Sequence, residues 1–387
     1  MTDILTLNSI SPVIKDVLGE KYNISGDVKD PAGIMLRSFK MHDYPVSDKT
    51  LAVARAGAGV NNIPVNEYAE KGIVVFNTPG ANANAVKELV LTALFLGSRK
   101  IVDAIDWVKT LKNEPELSKL VEKGKSNFAG CEILGKKLGV IGLGAIGALV
   151  ANAAIDLGME VYGYDPFLSV NSALRLSSAV KVVKTLDEIA EISDYVTIHI
   201  PYIADQNKGI INADFISKMK DGAVIVNCAR GELADNEDVI SAIESGKLSR
   251  YVTDFPSDDL IGEENVVCFP HLGASTEEAE ENCAVMAARQ LADYLENGNI
   301  VNSVNYPACS MPRTTDTRIL ILHKNVNNIL AQVTGIVGNE GVNIENLSNQ
   351  SKGDYAVTMI DLSKDLSDKA VRDISSLNDV IRVRIIK

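Results

Sequence analysis

The sequence contains few cysteines, and they are widely scattered. Five occur in 387 residues, an odd number, and they form no CxxC pair. This pattern argues against a disulfide framework and against a zinc site. We therefore expect a reduced, cytoplasmic protein without a bound metal ion.

Positive charge is in deficit, and long apolar runs are missing. Lys and Arg number 38 against 51 Asp and Glu, which gives a formal net charge of −13. Phosphate backbones and anionic lipid repel such a chain, so nucleic-acid and membrane partners are not expected. The longest apolar stretch, near residues 89–96, is too short to span a bilayer, and the first residues lack the pattern of a secretory signal.

The remaining composition is that of an ordinary globular protein, with 46% hydrophobic and 23% charged residues. A chain of this length is expected to form two to three domains. In its first part, short apolar runs at 33–37, 50–55 and 72–76 alternate with helical patterns, of which 84–110 forms one long helix or two consecutive ones. Alternating strands and helices predict a parallel sheet covered on both faces.

A second α/β pattern follows a polar stretch at 112–125. Its predicted strands are 137–142, 160–164, 195–199, 223–227 and 266–269. With helical segments between them, they are typical of a doubly wound nucleotide-binding domain. A helix at 276–297 and a turn-rich linker at 305–312 come next. The order strand, helix, two strands, helix, strand over 318–386 predicts a ferredoxin-like module.

A glycine-rich turn is the most informative motif. Gly142, Gly144 and Gly147 stand in a GxGxxG pattern directly after an apolar strand and before a helix. This arrangement lets backbone amides and the positive end of the helix approach a pyrophosphate. Asp165 follows at the end of the next strand, where a carboxylate binds ribose hydroxyls and repels a 2′-phosphate. The motif predicts a dinucleotide site that prefers NAD to NADP.

Two histidines and one arginine follow predicted strands. His271 lies after the strand at 266–269, at the edge where α/β sheets bind ligands, and an imidazole there suits the proton transfer that accompanies hydride transfer. His199 also ends a strand and is a candidate to face the nicotinamide ribose. Arg230 follows the strand at 223–227, and a guanidinium can grip the carboxylate of a 2-hydroxy or 2-keto acid. A structural histidine or a surface ion pair is the alternative role.

Longer stretches resemble the D-2-hydroxyacid dehydrogenase family over nearly the whole chain. They are LRSFK (36–40), ARAGAGVNNI (54–63), NTPGANANAVKEL (77–89), GVIGLGAIG (139–147), GYDP (163–166), HIP (199–201), VNCARGEL (226–233) and PHLGASTEEAEENC (270–283). The resemblance implies an α/β fold in three parts: a discontinuous flavodoxin-like substrate domain, a doubly wound Rossmann-type NAD domain and a C-terminal ferredoxin-like ACT domain. We place these parts at 1–96 with 278–310, at 97–277 and at 311–387.

The resemblance also implies roles for individual residues. His271 is expected to be the general acid/base, and Arg230 the anchor of the substrate carboxylate. The expected contacts to NAD are Thr78, Gly142, Gly144, Ala145, Ile146, Gly147, Asp165, His199, Ile200, Pro201, Cys228, Ala229, Arg230, Asp254, His271, Gly273 and Ala274. The family orients its histidine with a glutamate in a DVFxxEP segment, which reads TDFPSDD here. Asp258 or Asp259 is the candidate replacement.

The substrate implied by the resemblance is 3-phospho-D-glycerate, oxidised to 3-phosphooxypyruvate in the first step of L-serine biosynthesis. Candidate contacts lie in the segments that the family places around its cleft: Arg37, Ser38, Lys40, Arg55, Ala56, Gly57 and Lys125. We hypothesise that Arg55 with Arg37 or Lys40 selects the phosphate. Solvated surface charge is the alternative role for these residues.

Residues 317–387 resemble an ACT domain, a module that senses small amino acids and pairs across subunits. This implies L-serine as a feedback effector, with His323, Asn325 and Asn343 as candidate ligands, and a homodimer or homotetramer as the assembly. Dimerisation alone is the alternative role of the module. Two other functions stay open: another D-2-hydroxyacid dehydrogenase, such as a glyoxylate or hydroxypyruvate reductase, and a non-catalytic sensor that binds NAD and an amino acid.

Overall fold

The computed structural model describes residues 1–204 and 206–387, with the exception of the Asn171 side chain. The chain forms two compact units, one of residues 1–81 with 280–387 and one of residues 82–279. The first unit is therefore interrupted in sequence by the second. Within the described residues, no helix combines the length and the apolar character needed to cross a bilayer.

The first unit begins with a five-stranded parallel sheet. Its elements are β1 (Thr2–Leu7), α1 (Ile14–Leu18), β2 (Tyr22–Ser25), β3 (Gly33–Leu36), β4 (Ala52–Arg55), α2 (Val65–Glu70) and β5 (Val74–Phe76). The strand order β2-β1-β3-β4-β5 is that of a flavodoxin-like sheet. Strands β3 and β4 are almost entirely buried, which explains their unbroken apolar sequences. The predicted doubly wound class is confirmed for this sheet.

The second unit is built on a seven-stranded parallel sheet. Its elements are α3 (Ala83–Ser98), α4 (Ile101–Thr110), α5 (Leu117–Gly124), β6 (Lys137–Ile141), α6 (Ala145–Asp156), β7 (Glu160–Tyr164), α7 (Val170–Ala173), β8 (Lys181–Val182), α8 (Leu186–Ile192), β9 (Tyr195–Ile198), α9 (Ala213–Lys218), β10 (Ala223–Asn227), α10 (Asn236–Glu244), β11 (Leu248–Thr253) and β12 (Val266–Cys268). The order β12-β11-β10-β9-β6-β7-β8 reverses between β6 and β9, where doubly wound folds bind dinucleotides. The Rossmann-type prediction is confirmed.

Helix α3, which the predicted boundaries assign to the first domain, packs with the second compact unit. Its residues Val90, Ala93 and Leu94 are buried in a core with Val150 of α6 and Val226 of β10. Because its apolar face is covered by these elements, α3 belongs to the second unit, and the first segment ends at residue 81 rather than 96. The helical pattern at 84–110 is resolved as two consecutive helices, α3 and α4.

The chain re-enters the first unit along α11 (Glu277–Asn297) and then forms a four-stranded antiparallel sheet. The further elements are β13 (Thr317–Lys324), α12 (Ile329–Asn339), β14 (Ile344–Lys352), β15 (Tyr355–Leu362), α13 (Asp368–Ser375) and β16 (Val380–Ile386). The strand order β14-β15-β13-β16 is that of the predicted ferredoxin-like module.

The two faces of this antiparallel sheet join different cores. Ile319 and Ile321 of β13 pack with the helices of the module. The alternate residues Leu320 and Leu322 are buried in the same core as Ile4 of the first sheet. Because successive side chains of a strand point to opposite faces, the module shares one hydrophobic core with the five-stranded sheet.

Candidate active site

The glycine turn connects β6 to α6 at the carboxyl edge of the second sheet. A Cβ on Gly142, whose φ is 91°, would lie 2.7 Å from the carbonyl oxygen of His199, and a Cβ on Gly147 would lie 1.8 Å from the carbonyl oxygen of Gly142. Both glycines are therefore required by close backbone contacts. A Cβ on Gly144 would meet nothing within 4 Å. Protein packing does not explain that glycine, whereas a phosphate group seated on the turn does.

The amino end of α6 supplies donors for such a group. Gly144 precedes the helix and cannot cap it with a side chain. The first amides of the helix, at Ala145, Ile146 and Gly147, have no partner within the helix itself and point to its positive end. These amides and the open space at Gly144 fit the pyrophosphate of NAD.

Asp165 is held against this turn by two hydrogen bonds. Its Oδ2 accepts from the backbone N–H of Leu143 at 2.9 Å, and its Oδ1 accepts from the N–H of Phe167 at 2.9 Å. Each carboxylate oxygen keeps a further lone pair for a ribose hydroxyl. The position fits the predicted preference for NAD over NADP.

His199 lies half-buried beside the glycine turn. Burial lowers the pKa of its imidazole to about 3, and its Nε2 lies 3.0 Å from Oγ1 of Thr197. Its Nδ1 is buried and has no hydrogen-bond partner in the described part of the chain. Because its carbonyl and the side chain of Ile200 pack against Gly142, the segment from His199 to Pro201 forms a wall beside the glycine turn.

Arg230 stands on a loop that a buried asparagine fixes. Asn227 is 1% exposed at the end of β10, donates from Nδ2 to the carbonyl oxygen of Arg230 at 2.9 Å, and accepts at Oδ1 from the N–H of Ala229 at 3.2 Å. Cys228 between them is buried, and burial raises the pKa of its thiol. The guanidinium is exposed, and one nitrogen donates to the carbonyl of Ala229, so donors remain for a carboxylate. Sequence reasoning missed Asn227, although it precedes Cys-Ala-Arg in the quoted motif.

A buried carboxylate interacts with both predicted catalytic side chains. Asp254 is 0% exposed, and neither of its oxygens makes a hydrogen bond of normal geometry to the described residues. Burial raises the pKa of the Asp254 carboxyl, while the charge of His271, the N–H of Gly273 and the charge of Arg230 oppose the rise. The His271 ring is exposed and packs on Phe255, with the ring centroids 4.7 Å apart. Both catalytic candidates therefore lie within electrostatic reach of one carboxylate.

The two aspartates proposed to replace the family glutamate are placed differently. Asp259 accepts a hydrogen bond from Asn236 Nδ2 at 2.9 Å, and bonds from Ser257 and Asn236 lower the pKa of its carboxyl. Asp258 is exposed. Asp254, at the start of the same TDFPSDD segment, is a further acidic candidate near His271, since the charge of His271 acts on its carboxyl pKa. For Asp258 and Asp259 the role stays a prediction.

In the first unit, cationic residues gather at the carboxyl edge of the five-stranded sheet. Arg37 follows β3 and pairs with Glu280 of α11, and Arg55 ends β4. Cys283 of α11 is a buried thiol whose pKa is raised by burial, while the hydroxyl of Thr78 and the charges of Arg37 and Arg55 oppose the rise. Arg37, Arg55 and Thr78 therefore surround one buried side chain, to which sequence reasoning assigned no role.

The loops after β3 and β4 also enclose a polar cavity. It measures about 300 Å³ and is lined by Lys40, His42, Asn61 and Asn62. The Nδ2 of Asn62 holds these loops together by donating to the carbonyl oxygens of Arg37 at 3.2 Å and Phe39 at 2.7 Å. The predicted contacts Ser38, Ala56 and Gly57 lie on the same two loops. His42 and Asn61 are new candidates, and their position next to or within the LRSFK and ARAGAGVNNI motifs was the available signal.

Lys125 and the remaining cofactor candidates lie in the second unit. Lys125 begins a short 3₁₀ segment and forms an exposed ion pair with Glu122 of α5. Gly273 is buried beside Asp254, and Ala274 follows it in the loop before α11.

The predicted effector ligands of the C-terminal module are already hydrogen-bonded. His323 is 2% exposed, with Nδ1 at 2.7 Å from the carbonyl oxygen of Lys324 and Nε2 at 2.9 Å from Oγ1 of Thr358. Asn325 donates to the carbonyl of Gly353 at 3.0 Å. Both ring nitrogens of His323 therefore have hydrogen-bond partners within the sheet, and its role as an effector ligand stays a prediction.

Asn343 lies at the other end of that sheet. Its Nδ2 donates to Glu345 at 2.9 Å, just before β14. The register pairs Ile344 with Leu362 at one end of β15 and His323 with Ala356 near the other. The structure therefore does not bring His323 and Asn343 together within one chain.

A comparison with known protein families supports the interpretation of the second unit as an NAD-binding domain. Residues 91–273 match the profile described as "D-isomer specific 2-hydroxyacid dehydrogenase, NAD binding domain". Together with the relatives given next, this match shows that the chain belongs to the D-isomer specific 2-hydroxyacid dehydrogenase family. It is an NAD-dependent dehydrogenase, as the motifs predict.

Two curated relatives and one solved structure are named for the same enzyme of this family. The chain is 32% identical to D-3-phosphoglycerate dehydrogenase of Haemophilus influenzae over 377 residues, which cover 93% of this chain and 87% of the relative. It is 31% identical to the enzyme of the same name from Escherichia coli K12, covering 88% and 82%. The NAD⁺-bound structure of 3-phosphoglycerate dehydrogenase from Entamoeba histolytica has a TM-score of 0.61 and 27% identity, covering 79% of this chain and 98% of that chain.

Proposed function

We propose that the protein oxidises 3-phospho-D-glycerate to 3-phosphooxypyruvate with NAD, the first step of L-serine biosynthesis, in the cytoplasm. The observation that carries this proposal is that Phe255, next to the buried Asp254, packs on the His271 ring at 4.7 Å and lies 3.3 Å from a Cβ built on Gly231, next to Arg230. The three strand ends therefore converge in the unit that holds the glycine turn. Relatives named for this reaction that match most of the chain support the choice of substrate.

The proposed chemistry divides the work among three side chains. Bound NAD supplies the acceptor for the hydride. Arg230 holds the substrate carboxylate in a bidentate pair and so positions the adjacent carbon. His271 takes the hydroxyl proton as that carbon is oxidised, and returns it in the reverse reaction. Asp254 stabilises the imidazolium that forms, because opposite charge favours ionisation of both groups.

We assign the phosphate of the substrate to cations of the first unit. A protein with a net charge of −13 needs a local concentration of positive charge to hold a triply anionic ligand. Arg55, with Arg37 or Lys40, is the proposed set, since all three follow or end the central strands of the first sheet. His42 and Asn61, which line the same cavity as Lys40, provide further donors.

We further infer a symmetric homo-oligomer that responds to L-serine. Strand β14 is an edge strand with mostly exposed side chains, and such edges pair readily with a second copy. Because His323 and Asn343 lie at opposite ends of one sheet, an effector that touches both would need two copies of the module.

A coupled assay tests the main proposal. NAD and 3-phospho-D-glycerate are mixed with the protein, the keto product is removed by a trapping reagent, and NADH absorbance is followed. We expect turnover with NAD and much less with NADP, because Asp165 repels a 2′-phosphate. Reduction of glyoxylate or hydroxypyruvate with no phosphoglycerate oxidation would contradict the substrate. NAD binding without turnover of any 2-hydroxy acid would contradict catalysis.

A further inference from the structure

A small cavity lies in the first unit where the C-terminal module meets the five-stranded sheet. It measures about 190 Å³ and is lined by Val46, Ser47, Asp48, Lys71, Ile73 and Arg382. This volume is below the roughly 300–1,000 Å³ of pockets for drug-sized ligands. The cavity therefore suits a ligand of few heavy atoms rather than a nucleotide.

The charged groups of the cavity have both signs. Its lining residues include one that is acidic, Asp48, and two that are basic, Lys71 and Arg382. The guanidinium of Arg382 donates to the carbonyl oxygens of Thr50 at 2.7 Å and Asp48 at 3.3 Å, which orient it but carry no net charge. Lys71 pairs with a glutamate one helical turn away, and both side chains are about half exposed. Exposed pairs of this kind are weak, so Lys71 can exchange its partner for a ligand.

The backbone beside the cavity is adapted to Arg382. Gly72 lies in the turn between α2 and β5 with φ of 66°, and a Cβ there would lie 2.7 Å from the Cβ of Arg382. Glycine therefore allows β16 to approach this turn closely. Val46 and Ile73 complete an apolar part of the wall.

We propose that this cavity binds a small zwitterion, an α-amino acid with a short side chain. Its carboxylate contacts Arg382 and Lys71, and its ammonium group contacts Asp48. A simple carboxylate would leave Asp48 unpaired, and a simple amine would leave Arg382 and Lys71 unpaired, so the lining favours a ligand with both charges. Because Asp48 and Lys71 belong to loops of the first sheet and Arg382 to β16, the bound ligand would connect the module to that sheet. This site is separate from His323, Asn325 and Asn343 and does not depend on the proposed substrate.

Titration calorimetry on the full chain tests the proposal. The probes are L-serine, glycine and L-alanine, with acetate and ethylamine as ligands of a single charge. We expect saturable binding of at least one of the amino acids and at least tenfold weaker binding of acetate and ethylamine. Asp48→Asn and Lys71→Gln should each weaken amino-acid binding at least fivefold, and Arg382→Met at least tenfold, because each removes one charge that the ligand pairs.

Arg372→Met is the matched control, since it removes an exposed arginine of the same module outside the cavity. It should leave binding unchanged. If Arg382→Met fails to fold, Asp48→Asn and Lys71→Gln still decide, because both side chains are exposed or half exposed. Absence of amino-acid binding, equal binding of acetate, or binding abolished by Asn343→Ala but not by Asp48→Asn would each overturn the proposal.

Discussion

At the scale of single residues, Asp254 combines a chemical role with a cost in stability. Its carboxylate is fully buried, and burial raises its pKa above the ordinary value. A buried carboxylate without normal hydrogen bonds destabilises the fold when it is ionised. Such groups concentrate at functional sites, where a charge is needed next to a reacting group.

Replacing Asp254 by Asn should stabilise the apoprotein and slow the reaction. The folded-state pKa is raised, so ionisation lowers the free energy of unfolding at pH values above the unfolded pKa of about 3.9. At pH 7 the variant should therefore melt at a higher temperature, by about 2–4 °C for each kcal/mol recovered, and this gain should shrink as the pH falls towards 4. The turnover number should fall because His271 loses its anionic partner.

Melting curves between pH 4 and 8 and NAD reduction rates check this prediction. Asp258→Asn is the control, since Asp258 is exposed in the same segment. A lower melting temperature for the Asp254 variant, or equal losses of rate in both variants, would show that Asp254 serves packing rather than catalysis.

Arg55 gives a second prediction at this scale. Arg55→Ala should raise KM for 3-phospho-D-glycerate by about tenfold or more, since a charge-assisted contact contributes about 1.5–3 kcal/mol. KM for a 2-hydroxy acid without phosphate should change little. Steady-state kinetics with both substrates provide the measurement, with Lys29→Gln as an exposed control before β3. Equal losses on both substrates would refute the phosphate assignment.

At the scale of elements, the arginine of a buried ion pair in the C-terminal sheet also forms a hydrogen bond to the end of α11. Arg318 of β13 and Asp361 of β15 are both 0% exposed and form a bidentate pair at 2.6 and 3.0 Å. Arg318 also donates to the carbonyl oxygens of Asn297 at 2.9 Å and Met311 at 3.0 Å. One guanidinium thus satisfies the end of α11 and the linker after it.

Asp361→Asn should destabilise the protein by about 3–5 kcal/mol, because it leaves a buried guanidinium without its counter-charge. Burial alone would raise the pKa of Asp361, but hydrogen bonds from Arg318 and Thr314 outweigh it and lower the pKa. The ion pair therefore contributes above the unfolded pKa of about 3.9, and its contribution is lost as the pH falls through the lower folded value.

Urea unfolding at pH 7 and at successively lower pH measures this contribution. Asp373→Asn breaks an exposed pair with Lys369 and should change the free energy of unfolding by about 0.5 kcal/mol or less. Equal effects of the two substitutions at pH 7 would be inconsistent with a stabilising buried pair.

The sequence predicts elements well where apolar runs coincide with burial, and poorly where tertiary contacts override them. Strand β11 is missed because Arg250 interrupts its pattern. That arginine is 3% exposed and pairs with Asp103 at 2.6 Å, a contact between residues far apart in the chain. The start of α12 at Ile329 is set locally, because Asn328 before it adopts a left-handed conformation, with φ of 69°.

The same limit applies to the candidate site. Motifs place His271, Arg230 and the glycine turn at strand ends, because parallel strands present their carboxyl ends at one edge. The resemblance predicts Asp254 as an NAD contact, but no spacing encodes its complete burial. Nor does spacing encode the hydrogen bonds by which Asn227 fixes the Arg230 loop. The sequence motif predicts His323 and Asn343 as effector ligands of the C-terminal module. The strand register places these two residues at opposite ends of the sheet.

At the scale of the whole molecule, the two compact units should respond differently to cofactor. The single tryptophan, Trp107, lies in the second unit with its ring 5.1 Å from that of Phe128. Its fluorescence therefore reports on the unit that carries the glycine turn. NAD at 100 times its Kd should stabilise that unit by about 2.7 kcal/mol.

Urea titrations followed by fluorescence and by far-UV circular dichroism test this expectation. NAD should shift the fluorescence midpoint, while part of the dichroism signal keeps its midpoint. Adenosine at the same concentration is the control, because it lacks the pyrophosphate that the amides of α6 bind. Coincident transitions that shift together would mean that the two units unfold as one.

The interruption of the first unit by the second has a consequence for synthesis on the ribosome. All of residues 82–279 emerge before the part of α11 that contains Ala284, Ala287 and Leu291, which complete the core that the first sheet needs. The inserted unit can therefore fold before the first 81 residues have the α11 side chains against which they pack. Nascent chains stalled near residue 310 should already bind cofactor, although the segment made first has yet to acquire its protease resistance.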